Sequence, residues 1–155
     1  MEQARLTHNH PLSDAACVTV GRIIQMAVLG LPMAALRDAA RGLADRHAEF
    51  GFEEGAGGAT AYVADTLRTV FHDFFSTRGF EECLVRIVNR GGDADTAGAI
   101  AGAIAGAHYG LPAIPGRWLS ALDPAVREDL ARAAERLVLL SPLFRGRDPD
   151  PGDRR

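Results

Sequence analysis

The sequence predicts an all-α protein, and three observations carry that prediction. Apolar residues recur at three- and four-residue spacing along most of the chain, no stretch alternates with period two over a useful length, and glycine or proline punctuates the periodic segments. The 155 residues, 47% hydrophobic and 24% charged, fit one domain with a real hydrophobic core. No repeat of supersecondary length is present.

The elements follow in order. Ser13 is placed to cap a helix over about 14–29, with Ala16, Val20, Ile23, Ile24, Ala27 and Val28 at helical spacing. Gly30-Leu31-Pro32 ends it and restarts a second helix through Leu36, Ala40, Leu43 and Ala44. Residues 50–60 are the least regular stretch, and their four glycines suggest a shaped loop, whose part from Gly55 to Gly58 could approach a pyrophosphate through backbone N–H groups. A strong helix is expected over about 61–75, its Phe71, Phe74 and Phe75 facing a core, and another over about 80–88. Asp65, Asp73, Glu81 and Glu82 read as solvated faces of these helices. A Gly/Ala helix runs from Asp93 to about Tyr109, and Asp123-Pro124 starts a last, polar helix carrying Val126, Leu130, Ala133, Leu137 and Leu140. Residues 143–155 are charged and proline-rich, the composition of a disordered tail.

Charge and cysteine usage narrow the function classes. A net charge of −3 with scattered basic residues gives no field to recruit nucleic acid or an anionic membrane. Cys17 and Cys83 lie in apolar helical patterns and are expected to be buried free thiols. No signal-peptide core follows Met1, so a cytoplasmic location is the expectation.

The Gly/Ala helix needs a physical reason. Gly98, Gly102, Gly106 and Gly110 recur every four residues, and each interior glycine costs roughly 1 kcal/mol relative to alanine. Close approach of neighbouring helices would offset that cost. The apolar run 97–107 is far shorter than the ~20 residues a bilayer requires, so this is a central helix of a globular core and not a membrane span.

At its start stand Gly91-Gly92-Asp93-Ala94-Asp95-Thr96. Two readings fit that spacing. An aspartate or threonine in the first turn caps free N–H groups and favours the helix dipole. Alternatively, two carboxylates at i and i+2 with a neighbouring hydroxyl supply hard oxygen ligands to Mg²⁺, Mn²⁺ or Ca²⁺, with the glycine pair allowing the tight turn. An EF-hand is excluded, because with Asp93 as the first ligand the glutamate position falls on Ile104. His8 and His10 are a weak zinc pattern without a third ligand nearby, and they read equally well as residues that orient the turn before Pro11.

The run from Gly91 to Ala103, continuing through Gly106-Ala107-His108-Tyr109-Gly110 and Ile114-Pro115-Gly116-Arg117-Trp118, resembles the C-terminal signature of the ADP-ribosylglycohydrolases. Thr7-His8-Asn9-His10-Pro11-Leu12, Tyr62-Val63-Ala64-Asp65-Thr66-Leu67 and Phe80-Glu81-Glu82-Cys83-Leu84 resemble the same family in the same order, so the likeness spans roughly residues 4–140. It is similar in particular to bacterial members that remove ADP-ribose from an arginine of dinitrogenase reductase. The resemblance implies an all-α fold around two divalent ions, magnesium or manganese, and hydrolysis of the N-glycosidic bond of an ADP-ribosylated protein. It implies Asp93, Asp95 and Thr96 as metal ligands and His8, Tyr62, Asn89 and Gly92 near the ADP-ribose. It also implies a second ligand cluster, Ser/Thr-Asp-Asp, and an upstream catalytic acid. The sequence contains no Asp-Asp dipeptide, so residues 1–142 are expected to form the C-terminal part of the fold and to supply one half-site. A separate chain would carry the N-terminal half, or the protein is a truncated, non-catalytic module that binds ADP-ribose, metal or a partner. Core surface left uncovered by that half would favour aggregation or a partner.

Overall fold

The computed structural model describes residues 5–55 and 57–141; the expected tail, 143–155, and Ala56 of the glycine-rich loop lie outside them. The described residues are mostly helical, with α1 (Pro11–Val28), α2 (Met33–Arg46), α3 (Val63–Ser76), α4 (Phe80–Asn89), α5 (Ala94–Tyr109), α6 (Gly116–Ala121) and α7 (Pro124–Leu140), plus short 3₁₀ turns at Ala48–Phe50 and Leu111–Ala113. Among the described residues there is no strand, only an isolated parallel bridge between Ala59 and Gly92. No helix among them is long and apolar enough to cross a membrane. Two compact units result, Met1–Ile114 and Pro115–Arg155.

In the first unit α5 is the hub, packed against α1, α3 and α4. Its Ala97, Ala101, Ile104 and Ala105 are completely buried. The every-fourth glycine forms a groove for α4. A Cβ at Gly98, Gly102 or Gly106 would stand 3.7–3.9 Å from Val88, Leu84 and Phe80 respectively, ordinary contact distance. The glycines therefore admit a row of α4 side chains, whereas the backbone approach expected from the sequence is not close enough to require them.

The aromatic stripe of α3 is core as predicted, with Phe71 and Phe74 fully buried. Phe50 and Phe52, from the supposedly irregular stretch, complete that core; the Phe52 ring lies 5.7 Å from Phe71 and 5.5 Å from Phe75. Helix α1 starts earlier than expected. Its cap is His10, whose Nδ1 accepts the Leu12 N–H at 3.2 Å, because Pro11 takes the first helical position and leaves Ser13 inside the helix. Cys17 is exposed, not buried, and so are Val18 and Val28, because they occupy the face of α1 turned from the core. Cys83 is buried, which pushes its thiol up to about 11 and leaves it protonated and inert.

In the second unit Asp123 caps α7 by accepting from Ala125 N at 2.8 Å and Val126 N at 3.4 Å. Val126, Leu130, Leu137 and Leu140 are exposed along α7.

Candidate functional site

The turn between α4 and α5 is built from two left-handed glycines. Arg90 ends α4, then Gly91 (φ +73°) and Gly92 (φ +68°) reverse the chain into Asp93. At Gly92 no other residue fits: a Cβ would stand 2.0 Å from the Ala59 carbonyl oxygen. That carbonyl accepts the Asp93 N–H at 2.9 Å, so the 57–60 loop is strapped to the turn. Hydroxyls of α3 hold the loop in turn, with Thr66 Oγ1 donating to Thr60 O at 2.8 Å and Thr69 Oγ1 to Gly57 O at 3.2 Å.

Asp93 occupies the N-cap of α5 and makes no capping hydrogen bond. Asp95, in the first helical turn, accepts only the adjacent Thr96 N–H among the backbone groups beyond its own, at 2.9 Å. A hydrogen bond with the Asp93 side chain, reinforced by the N–H groups of Thr96 and Asp95 itself, holds the Asp95 carboxyl below the usual carboxylate range. The two carboxyls thus face one another, Asp93 half-buried, Asp95 and Thr96 exposed.

A cleft of about 230 Å³ opens beside this turn, lined by Thr7, His8, Cys17, Thr66, Asp93 and Thr96 among others. The structure therefore brings His8, Asp93 and Thr96 to one cleft wall, while Asp95 shares the turn without lining the cleft. His8 is exposed and its Nδ1 lies 3.0 Å from Thr7 Oγ1. The segment carrying it is tied to α1 by Arg5, whose guanidinium meets Asp14 Oδ2 at 2.6 and 2.9 Å. Tyr62, the N-cap of α3, is half exposed and lies next to the cleft residues Ala61 and Val63, but does not itself line the cleft. Asn89 is exposed, the last residue of α4 and not its cap, which is Arg90; it does not line the cleft either. A larger cleft of about 510 Å³ lies elsewhere, between charged groups such as Arg41 and Glu53 that pair with each other at 2.9 Å.

The oxygen donors of the turn suit a hard divalent cation in kind. In number they fall short, since among the described residues no three His, Cys, Asp or Glu side chains converge as a metal site.

Sequence reasoning missed one acid near the turn. Asp73, expected on a solvated face, is completely buried and takes the fork of Arg90, Nε to Oδ2 at 2.5 Å and Nη2 to Oδ1 at 2.7 Å. Arg86 Nε adds a third contact at 3.1 Å. The signal was present: Asp73 stands among Val70, Phe74 and Phe75 on the apolar face of α3, and Arg86 and Arg90 are one helical turn apart.

Comparison with known proteins places these features in context. The profile of the ADP-ribosylglycohydrolase family matches residues 1–147. The ADP-ribosyl-[dinitrogen reductase] glycohydrolase of Rhodospirillum rubrum is 48% identical over 143 residues, 92% of this chain and 49% of that protein. The ADP-ribosylarginine hydrolase Tri1 of Serratia proteamaculans is 36% identical over 84 residues, 54% of this chain and 22% of that one. A solved structure described as an ADP-ribosylglycohydrolase-related protein complex superposes with a TM-score of 0.77 at 38% identity, covering 92% of this chain and 50% of that chain. The chain spans about half the length of that relative and of that structure.

Proposed function

The chain belongs to the ADP-ribosylglycohydrolases, and from that premise we propose that it supplies the C-terminal half-site of a hydrolase acting on ADP-ribose attached to a protein arginine. The substrate class follows the names of its relatives, and dinitrogenase reductase is the first target to try. Residues 1–142 act as the C-terminal part of one domain, completed by sequence equivalent to the other half of those relatives. Asp93, Asp95 and Thr96 hold two divalent ions, magnesium or manganese, together with ligands from that other half. Divalent ions held there would supply Lewis-acid polarisation of the substrate and activation of a water at neutral pH.

The observation that carries this reading is Asp93. An aspartate at an N-cap that leaves the cap unmade, half-buried in the cleft lining and set against a second carboxyl, is an arrangement that a shared cation would satisfy. Asp95, whose carboxyl is held below the usual carboxylate range, offers a second oxygen ligand in the same turn. Gly92 lets the Ala59 strap approach, fixing the Asp93 backbone. His8 lines the same cleft and is the proposed contact to the ribose or diphosphate, and Tyr62 and Asn89, which do not line it, are proposed as outer contacts. The catalytic acid belongs to the other half.

The test is manganese-dependent release of ADP-ribose from an ADP-ribosylated arginine protein, using this chain combined with the missing half of the fold. Asp93→Ala and Asp95→Ala each lower the rate by at least about tenfold, in the range seen when metal-site groups are removed. Full activity in both variants, or activity indifferent to metal, contradicts the assignment. Binding of two manganese ions by the isolated chain would contradict the half-site reading.

A further inference from the structure

We propose that Arg90, gripped by the buried Asp73, is a positioning residue that sets the Gly91–Gly92–Asp93 turn; its purpose rests on the reading that this turn holds a divalent ion.

Three observations point to it. First, the ion pair is over-built for a plain brace. Asp73 has no solvent exposure and receives both arms of the Arg90 fork plus Arg86. A buried ion pair is weak evidence for stability, since apolar residues of similar volume often serve as well, while the bidentate fork fixes direction as well as distance. Second, Arg90 is the last residue before two glycines in the left-handed region, where the chain has the greatest freedom to lose. The fork anchors one side of that pair. On the other, the Ala59 carbonyl takes the Asp93 N–H, and its loop also presses against Arg90, where a Cβ at Gly58 would stand 3.4 Å from the Arg90 carbonyl oxygen. Third, ligands must be held to within ~0.5 Å for a site to work, and the glycines cannot supply that rigidity themselves.

Arg86 is the built-in control. It touches the same carboxylate through one contact and sits one turn earlier on α4, without adjoining the glycine pair. A role in stability alone predicts that loss of either arginine is felt equally at the turn and in the core of α5, more for Arg90 with its two contacts than for Arg86 with one. A positioning role predicts that Arg90 alone controls the turn.

The experiment uses the full 155-residue chain, ¹⁵N-labelled and free of metal, as wild type, Arg90→Lys, Arg90→Gln and Arg86→Gln. Amide exchange is read at Asp93, whose N–H bonds Ala59, and at Ile104 in the core of α5. Manganese affinity is read separately from the free-ion electron paramagnetic resonance signal. Arg90→Lys speeds exchange at Asp93 without speeding it at Ile104, and it weakens manganese binding by about tenfold, as expected when a group supporting a ligand is lost. Arg86→Gln changes neither selectively. Unchanged Asp93 exchange in a folded Arg90→Lys overturns the proposal, and so does equal acceleration at Asp93 and Ile104. If Arg90→Gln fails to fold, Arg90→Lys decides. A wild-type chain that takes up no manganese even when combined with the missing half sinks the cation reading, while the exchange comparison still decides for or against the clamp, so the two failures are told apart.

Discussion

Helices α5 and α7 both begin on an aspartate, and the two aspartates behave differently. Asp123 folds its carboxylate over the first turn of α7 and accepts two backbone N–H groups. Asp93 stands at the same position of α5 and caps nothing, turning instead toward Asp95. Sequence spacing is the same kind of signal in both places, an aspartate just before a helix. The difference lies in what precedes each one. Asp123 arrives through an ordinary extended residue, Leu122, whereas Asp93 is delivered by two left-handed glycines and held by its backbone to Ala59. A third acid, Asp73, completes the contrast, because its buried charge is spent on two part-exposed arginines of α4 and its end, Arg86 and Arg90. Asp73 thus braces the fold, Asp123 starts a helix, and Asp93 caps nothing and pairs with Asp95.

That division predicts graded consequences. Asp73→Ala leaves two part-exposed arginines without their shared partner and lowers the unfolding free energy by about 2–3 kcal/mol, measurable by urea denaturation. Asp93→Ala, with no cap to lose, stays within ~0.5 kcal/mol of wild type. Comparable losses from the two would erase the distinction. Gly92→Ala comes next, costing about 1–3 kcal/mol for the left-handed backbone alone, plus the displacement of Ala59, and it should depress Tm markedly. Gly102→Ala, by contrast, places a methyl in contact with Leu84 and is neutral or stabilising by up to ~1 kcal/mol; a large loss there would mean the α4 groove is tighter than its distances say. Asp123→Ala costs about 1 kcal/mol and frays the first turn of α7, read as faster amide exchange at Ala125 and Val126. The smallest effect concerns acid. The Arg5 hydrogen bond holds the Asp14 carboxyl below its ordinary 3.8. Its contribution is therefore complete above that pH and disappears as pH falls through the lower folded value. Amides of Thr7–His10 should lose exchange protection in that acid window and keep it at pH 5; indifference to pH would free the His8 segment from this tether.

Much of the fold was legible in the sequence because helical periodicity reports burial directly: Leu36, Ala40 and Leu43, or Val70, Phe71 and Phe74, sit where their spacing puts them. Periodicity failed where a residue's partner is distant. Asp73 looks solvated until Arg90 is known to reach it, and Phe50 and Phe52 look like loop until Phe71 and Phe75 are placed above them. Cys17 looked buried because α1 is apolar on more than its core face. Of the site, the turn was legible from its unusual glycine pair, and family resemblance supplied the chemistry that spacing left undecided between cap and ligand. The Ala59 strap, the Asp73 fork and the shared cleft wall of His8 and Thr96 were not, since each is a contact across the fold.

The most direct test of the central claim is a manganese titration of the ¹⁵N-labelled chain, watched by paramagnetic broadening of its amides. The account predicts broadening centred on Asp93, Asp95 and Thr96, retained in Asp123→Ala and lost in the Asp93→Ala/Asp95→Ala double variant. Broadening that survives the double variant, or that centres on another acidic surface such as Glu49 and Glu53, would contradict it.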